Sequence, residues 1–327
     1  MKLLVLNATV VRSLLSPRRC IELMRTAMAL VARGATLQPL RQMCRHPSGR
    51  GGIGMMQGYT ARPEWLGLKV MTGFASNVGT AFATRQGFVL LFEVEHGAPV
   101  AILDAREITA IRTAAATAVA TDVLANPDSR VLALCGYGEQ ARAHLEALSE
   151  VRRFERVVVW GRDPLKAQAF AAAQGERLGL AVSAVPSPQA AAVAADVICT
   201  TTAAAEPFLK GAWLRPGQHL NAVGSSIPAT AEVDEDAVAR CRYFVDFRES
   251  ALELAGDFRR ARAAGLVSDA HILGSIGDVL EGKIVGRRDR ADLTFFKSLG
   301  MISEDLVAAD FVYCAAIEQG AGQVIDW

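Results

Sequence analysis

The residues best placed to do chemistry begin with a glycine turn, Gly136-Tyr-Gly138-Glu-Gln-Ala141, set between an apolar run and a helix-forming stretch. Val131 to Leu134 reads as a buried parallel strand. After such a strand, the first glycine permits a tight turn and the second lets backbone approach a pyrophosphate. The small third residue, Ala141, lets helix pack on strand. The N–H groups at the start of the helix have no partners within it and present themselves to phosphate. A second strand ending near Trp160 supplies the context that the spacing alone lacks, so a dinucleotide site is expected, with Gly136 and Gly138 as cofactor-binding residues. The end of that second strand reads Trp160-Gly-Arg162-Asp163, with Arg162 falling 24 residues after Gly138. An acid at this turn accepts from a ribose 2′-OH, whereas an Arg pairs with a 2′-phosphate. Arg162 favours NADP(H), and Asp163 keeps NAD(H) possible.

Three cations ahead of the turn need explaining. Lys69 lies in a strand-like run, Leu66-Gly-Leu-Lys-Val-Met71, between apolar neighbours. Arg112 sits inside an Ala/Thr-rich helical stretch, and Arg41 follows Pro39-Leu40. A buried cation is costly unless it meets a carboxylate or phosphate, so each is either an anion-binding group or half of a structural ion pair.

The elements that must position these groups fall into two patterns. Ser16-Pro17 supplies an N-cap and first helical residue, Gly34 a stop, and Ile21, Met24, Met28 and Val31 a core-facing stripe between them. Residues 36–104 carry short alternating runs (51–59, 67–72, 88–95 and 100–103) that predict an antiparallel sheet. A helix is expected from Asp104 to Leu124, broken by Asn126-Pro127. From residue 130 to about 300, strand candidates at 131–135, 156–160, 181–185, 196–200, 219–223 and 243–246 alternate with Ala-rich helices, which predicts a doubly wound parallel sheet. The last helix is expected over 303–319.

Composition removes several classes of function. With 327 residues, 51% of them hydrophobic, and a net charge of +1, the chain has ample length for a core and the balance of a soluble globular protein. Residues 1–121 hold 14 Lys/Arg against 6 Asp/Glu, and the remainder 21 against 28, an asymmetry that could favour anionic small molecules or docking of one part on the other. No basic stripe is interleaved with aromatics, so no nucleic-acid partner is expected, and nothing approaches 18 uninterrupted apolar residues, so no membrane span is expected either. No small-residue cleavage site follows the first apolar residues. The six cysteines (20, 44, 135, 199, 241 and 314) show neither C-x-x-C pairing nor a His at metal spacing; buried free thiols, a cytoplasmic location and no metal are expected.

Agreement in order and spacing over nearly the whole chain resembles the ornithine cyclodeaminase/mu-crystallin family. It is carried by Pro39-Leu-Arg41, Gly67-Leu-Lys69-Val, Ile108-Thr-Ala-Ile-Arg112-Thr, Gly136-Tyr-Gly138-Glu-Gln140-Ala, Asn221-Ala-Val-Gly224, Gly286-Arg287 and Phe295-Phe-Lys-Ser298-Leu-Gly. The resemblance implies a Rossmann domain at 122–302 and an α/β substrate-binding and dimerisation domain made of 1–121 with 303–327, hence a homodimer. It implies that Arg41, Lys69 and Arg112 hold a substrate carboxylate. It also implies that Thr84, Arg112, Glu139, Gln140, Arg162, Thr202, Val223, Ser298 and Leu299 line the cofactor or the junction between nicotinamide and substrate, Leu299 on the substrate side. Two departures from ornithine cyclodeaminases are informative. Where those have an Asp after the Val-Gly, this chain has Ser226, and where they have a Glu before a Met-Pro pair it has Gly54, with Gln57 in place of the Pro. Without these acids a diamine lacks its charge partner and general base. The segment from Gln38 to Tyr59 instead resembles the ketimine reductase branch. The expected reaction is NADPH-dependent reduction of a C=N bond beside a carboxylate to an amino acid, with a proton from Lys69, from water held by Ser226, or from an already protonated imine. Ornithine cyclodeamination, an alanine-type amino-acid dehydrogenase and a non-catalytic binding protein are the alternatives.

Overall fold

The computed structural model describes residues 2–326, and its internal contacts divide the chain into two units. One unit is Met1–Arg112 with Met301–Trp327, the other Thr113–Gly300. The division falls within the long helix Ala105–Leu124.

In the first unit, strands β1 (Lys2–Leu6), β2 (Thr36–Leu37), β3 (Gln42–Arg45), β4 (Gly52–Ala61), β5 (Glu64–Gly73), β6 (Arg85–Phe92) and β7 (Pro99–Asp104) form one sheet with a C-terminal strand, Gln323–Asp326. Its order is Gln323–Asp326, β1, β7, β6, β5, β4, β2, with β3 also on β4. Only the β1–β7 pairing is parallel. Period-two alternation separates the two faces. Gly58, Gly67, Lys69, Val89 and Leu91 face inward, where the helix Ile302–Gln319 packs on the sheet and the helix Pro17–Ala32 packs on that helix. Ile53, Met55, Leu66, Leu68, Val70, Phe88 and Leu90 share the opposite face, on which Ile53, Leu66 and Phe88 are exposed. The Pro17–Ala32 helix begins as its sequence predicts, with the Ser16 side chain accepting from the Arg19 N–H at 3.2 Å.

Gly58 and Gly67 are partners across β4 and β5, and together they form the seat of the C-terminal helix Ile302–Gln319. A Cβ at Gly58 would stand 2.5 Å from Ile302 Cγ2, and one at Gly67 would collide with Leu306. The two missing side chains bring the helix close enough for its first turn to reach Lys69 on the same face.

In the second unit, β8 (Val131–Cys135), β9 (Arg156–Trp160), β10 (Ala181–Ala184), β11 (Val197–Thr200), β12 (His219–Ala222), β13 (Arg242–Val245), β14 (Ile272–Ser275) and β15 (Thr294–Lys297) form a wholly parallel sheet. Its order is β10-β9-β8-β11-β12-β15-β13-β14, the doubly wound pattern expected. β14 and β15 add two strands that the alternation of apolar runs does not reveal. The winding reverses between β8 and β11, which places the ligand crevice of such a sheet outside their carboxyl ends. Its core is apolar, built on residues such as Ala133, Ile198, Leu220, Tyr243 and Phe295. A buried polar layer joins His219 to Thr294 (2.9 Å) and Asn221 (3.1 Å), and Asn221 to Thr121 (2.9 Å).

Cys20, Cys135, Cys199 and Cys241 are buried free thiols, but Cys44 and Cys314 are exposed, a departure from the uniform burial expected. Among the described residues no helix is long and apolar enough to cross a membrane, and no cluster of His, Cys, Asp and Glu could hold a metal.

Candidate active site

The three cations come together. Lys69 projects from β5, Arg112 from the Ala105–Leu124 helix and Arg41 from the segment entering β3. The Lys69 Nζ donates to both oxygens of Asp305 at 2.9 and 3.1 Å. Arg112 donates from Nε to Asp305 Oδ1 at 2.9 Å and from Nη1 to Glu304 Oε2 at 2.6 Å. All four side chains are at least nine-tenths buried. Gln38 ties the Arg41 segment to the same helix, its Oε1 accepting from Ser303 Oγ at 2.9 Å. Lys69 and Arg112 are therefore ion-paired, and the two carboxylates that hold them were not singled out from the sequence. A Ser-Glu-Asp run opening an otherwise apolar helix is an ordinary helix start. Nothing local announces that it is buried.

Burial pushes the Lys69 ammonium down to about 7, helped by the positive charges of Arg112 and Arg41 and opposed by Asp305. A lysine whose folded value lies below its unfolded one binds its proton less readily in the folded chain. Between about pH 7 and 10.5 the unfolded chain then carries more proton, and this residue makes stability rise with pH across that window. Cys20, buried beneath the cluster, is pushed well up by the same burial and is inert as a nucleophile.

Gly54 pairs with Met43 and Met71 across β4, and a Cβ there would stand 2.8 Å from Met43 Sδ. The thioether of Met43 thus stands against the point where a longer side chain would leave the strand. Thr84 is exposed in the loop before β6, its carbonyl accepting from the Phe74 N–H at 2.9 Å.

The second unit gathers the remaining predicted residues at the carboxyl end of its sheet. Gly136 has φ +128°, a conformation that L side chains rarely adopt, and a Cβ there would meet Thr201 Oγ1 at 2.6 Å. Gly138 caps the helix Glu139–Val151 without a side-chain bond, and a Cβ built on it meets nothing within 4 Å. Ordinary backbone facing open space at a helix N-terminus is what a closely approaching phosphate requires. Glu139 and Gln140 form the first turn of that helix, and Ala141 is fully buried against the sheet.

At the end of β9, Arg162 is exposed, while Asp163 is the N-cap of the helix Pro164–Leu178 and accepts from the Leu165 and Lys166 N–H groups at 3.1 and 3.2 Å. The acid considered as a ribose acceptor is engaged in capping. Thr202, Val223 and Ser226 follow β11 and β12, with Val223 N–H donating to the Thr200 carbonyl at 3.0 Å. Ser298 and Leu299 follow β15; the Ser298 N–H donates to the Ala222 carbonyl at 3.1 Å, and Asp246 accepts from the N–H groups of Leu299 and Gly300.

A chain that has both a doubly wound parallel sheet with an open glycine cradle at its switch point and a separate α/β unit with clustered cations is a nicotinamide-dinucleotide oxidoreductase, as its relatives of known structure are. The chain belongs to the ornithine cyclodeaminase/mu-crystallin family, whose pattern matches residues 1–320. It is 40% identical over 281 residues to the ketimine reductase mu-crystallin of Mus musculus, covering 86% of this chain and 85% of that one. It is similar to the structure of Thermococcus litoralis delta(1)-pyrroline-2-carboxylate reductase in complex with NADH and L-proline, with a TM-score of 0.95 and 32% identity over 98% of this chain and 99% of that one. It is also similar to an archaeal alanine dehydrogenase dimer with bound NAD, with a TM-score of 0.94 and 28% identity over the whole of both chains.

Proposed function

We propose that the protein reduces a cyclic ketimine, a C=N carbon bearing a carboxylate, to an L-amino acid with NADPH. The observation that carries this reading is the gathering of Lys69 and Arg112 on Asp305, within reach of the charge of Arg41. Three cations at one point suit a small carboxylate, and their rigid mounting supplies orientation. When bound, the reduced nicotinamide supplies hydride. The residues of this chain supply the rest. Arg41 and Arg112 hold the carboxylate, and Glu304 and Asp305 fix the plane of the Arg112 guanidinium. Lys69, with a value near 7, is tuned to hand a proton to the imine nitrogen at neutral pH. Gly54 and Ser226 each stand where a cyclodeaminase has an acid, and neither supplies one.

Oxidation of NADPH and NADH followed against pyrroline-2-carboxylate, piperideine-2-carboxylate and 2-oxo acids with ammonia tests the reading. Turnover of a cyclic imine supports it; release of ammonia and proline from ornithine without added cofactor, or reduction confined to 2-oxo acids at high ammonia, sinks it. If Lys69 is the proton donor, kcat/KM declines as pH rises through about 7, and Lys69→Met abolishes that limb. A limb that persists in the variant assigns the proton elsewhere.

The exposed Arg162, with its neighbour Asp163 committed to capping, supports NADPH over NADH. Arg162→Ala is expected to raise KM for NADPH by about 10- to 100-fold, the worth of a charge-assisted bond, and to leave KM for NADH unchanged. Equal effects on both cofactors would assign Arg162 to another role.

The apolar face of the first unit's sheet (Ile53, Met55, Leu66, Leu68, Val70, Phe88, Leu90) supports a homodimer, since a soluble chain rarely leaves such a face in water. Light scattering is expected to give twice the chain mass, and Leu68→Asp to halve it. A wild-type chain of single mass would remove the dimer from the proposal.

A further inference from the structure

The second unit holds a group of buried charges that the reaction above does not use. Glu232, in the loop between β12 and β13, is wholly buried. Its Oε1 accepts from the Thr202 N–H at 2.6 Å and the Thr202 hydroxyl at 2.7 Å. Its Oε2 accepts from the Thr200 hydroxyl and the Gly224 N–H, both at 2.7 Å. One carboxylate thus holds the outgoing ends of two neighbouring parallel strands. Gly224 has to be glycine for this to occur, because a Cβ there would stand 2.6 Å from Glu232 Oε1 and collide with the Thr202 backbone.

Lys297, the last residue of β15, braces the next stretch of the same loop. Its Nζ donates to the Ser225 carbonyl at 2.6 Å and lies 3.1 Å from Asp257 Oδ2, with neither Lys297 nor Asp257 exposed at all. Asp257 Oδ1 accepts from the Phe258 N–H at 2.7 Å. Burial raises the Glu232 carboxyl, and its bonds to Thr202 and Thr200 and the charge of Lys297 work against that rise. Stability alone is a poor account of such a group, because well-packed apolar residues in place of a buried ion pair are often neutral or stabilising. What an apolar side chain could not do is fix the directions of the Thr202 and Gly224 N–H groups together.

We propose that Glu232, braced by Lys297, is a positioning residue for hydride transfer. It sets the turns Thr200–Thr202 and Val223–Ser225 at the carboxyl end of the sheet, against which a bound nicotinamide ring would rest, and thereby the orientation in which the ring would present its hydride. This inference rests on the imine-reductase reading, and its test separates the two. In Glu232→Gln the size is kept, but an NH2 group opposes donors that now meet a carboxylate oxygen. Wild type and variant are compared for melting temperature, KM for pyrroline-2-carboxylate, kcat, and the primary isotope effect with NADPH deuterated at the transferring position. Misplacement of the ring is expected to lower kcat by about 100-fold, the order of loss that follows a shift near 1 Å. KM for the imine is expected to stay within about twofold, and the isotope effect on kcat to grow as hydride transfer comes to limit turnover. A purely structural role would lower melting temperature and active fraction and leave the isotope effect of the folded molecules where it was. Should Glu232→Gln fail to fold, Glu232→Asp keeps the charge one methylene short and is expected to show the same rise in isotope effect with a smaller loss of kcat. A folded variant whose kcat and isotope effect match an active wild type overturns the positioning role. A wild type that turns over no imine overturns the reading beneath it.

Discussion

Replacing Arg112 by Met is expected to cost the protein both its stability and its catalysis. The guanidinium makes two buried charge-assisted bonds, at 2.6 Å to Glu304 and 2.9 Å to Asp305. Its removal leaves Glu304 buried without that partner and Asp305 with Lys69 alone among these bonds. Breaking a buried pair by removing one member typically costs about 3–5 kcal/mol, because the surviving charge stays out of water. The melting temperature should fall sharply, and kcat/KM for the imine by about 100-fold or more among molecules that remain folded, since the proposed holder of the substrate carboxylate is lost. Arg112→Lys separates the two effects. It restores a positive charge, and much of the stability, but a point charge cannot reproduce the fork, so activity stays low. A lysine variant with near-normal kcat/KM would show that Arg112 is only a counter-ion.

Gly138→Val carries the opposite signature. Gly138 lies at φ −95°, where any residue is comfortable, and a Cβ there meets no atom within 4 Å. The variant is expected to lose only about 1 kcal/mol, the cost of valine as a poor N-cap residue, because no clash adds to it. Yet the added branch occupies the space a pyrophosphate needs beside the helix N-terminus, so dinucleotide affinity should drop by about 100-fold or more, measured by quenching of NADPH fluorescence or by calorimetry. Unchanged affinity would mean that the phosphates pass elsewhere. A Cβ at Gly136, by contrast, runs into Thr201 and demands a rare φ, so Gly136→Ala is a folding variant before it is a binding one.

What could be read in the chain beforehand follows the range over which each signal acts. The glycine turn, its strand and helix are local, and they stand where spacing puts them. The parallel sheet followed from alternation, but β14 and β15 escaped it. Leu273, Gly274 and Ser275 do not make an apolar run, and Phe295-Phe296 is too short to stand out from its surroundings. The capping role of Asp163 is legible as well, since Asp163-Pro164 repeats the pattern of Ser16-Pro17 and Ser187-Pro188. That signal was present and local. The partners of the cations were not. Asp305 lies 236 residues from Lys69 and 193 from Arg112, and only the packing of a helix on a sheet pairs them. Glu232 is silent for the same reason, because its four bonds arise from where two parallel strands end.

The Gly58–Gly67 seat has a consequence for the order in which the protein is made. Lys69 and Arg112 are synthesised first, and the carboxylates that neutralise them arrive on the C-terminal helix, 236 residues after Lys69 and 192 or 193 after Arg112. Until that helix emerges and settles on its two glycines, the inner face of the sheet lacks both its cover and these counter-ions, and closing over Lys69 and Arg112 without them would be costly. A ribosome-bound chain therefore completes this half last, however early its strands were made. A message cut short before the helix yields a sheet that cannot finish folding rather than an enzyme with a faulty clamp.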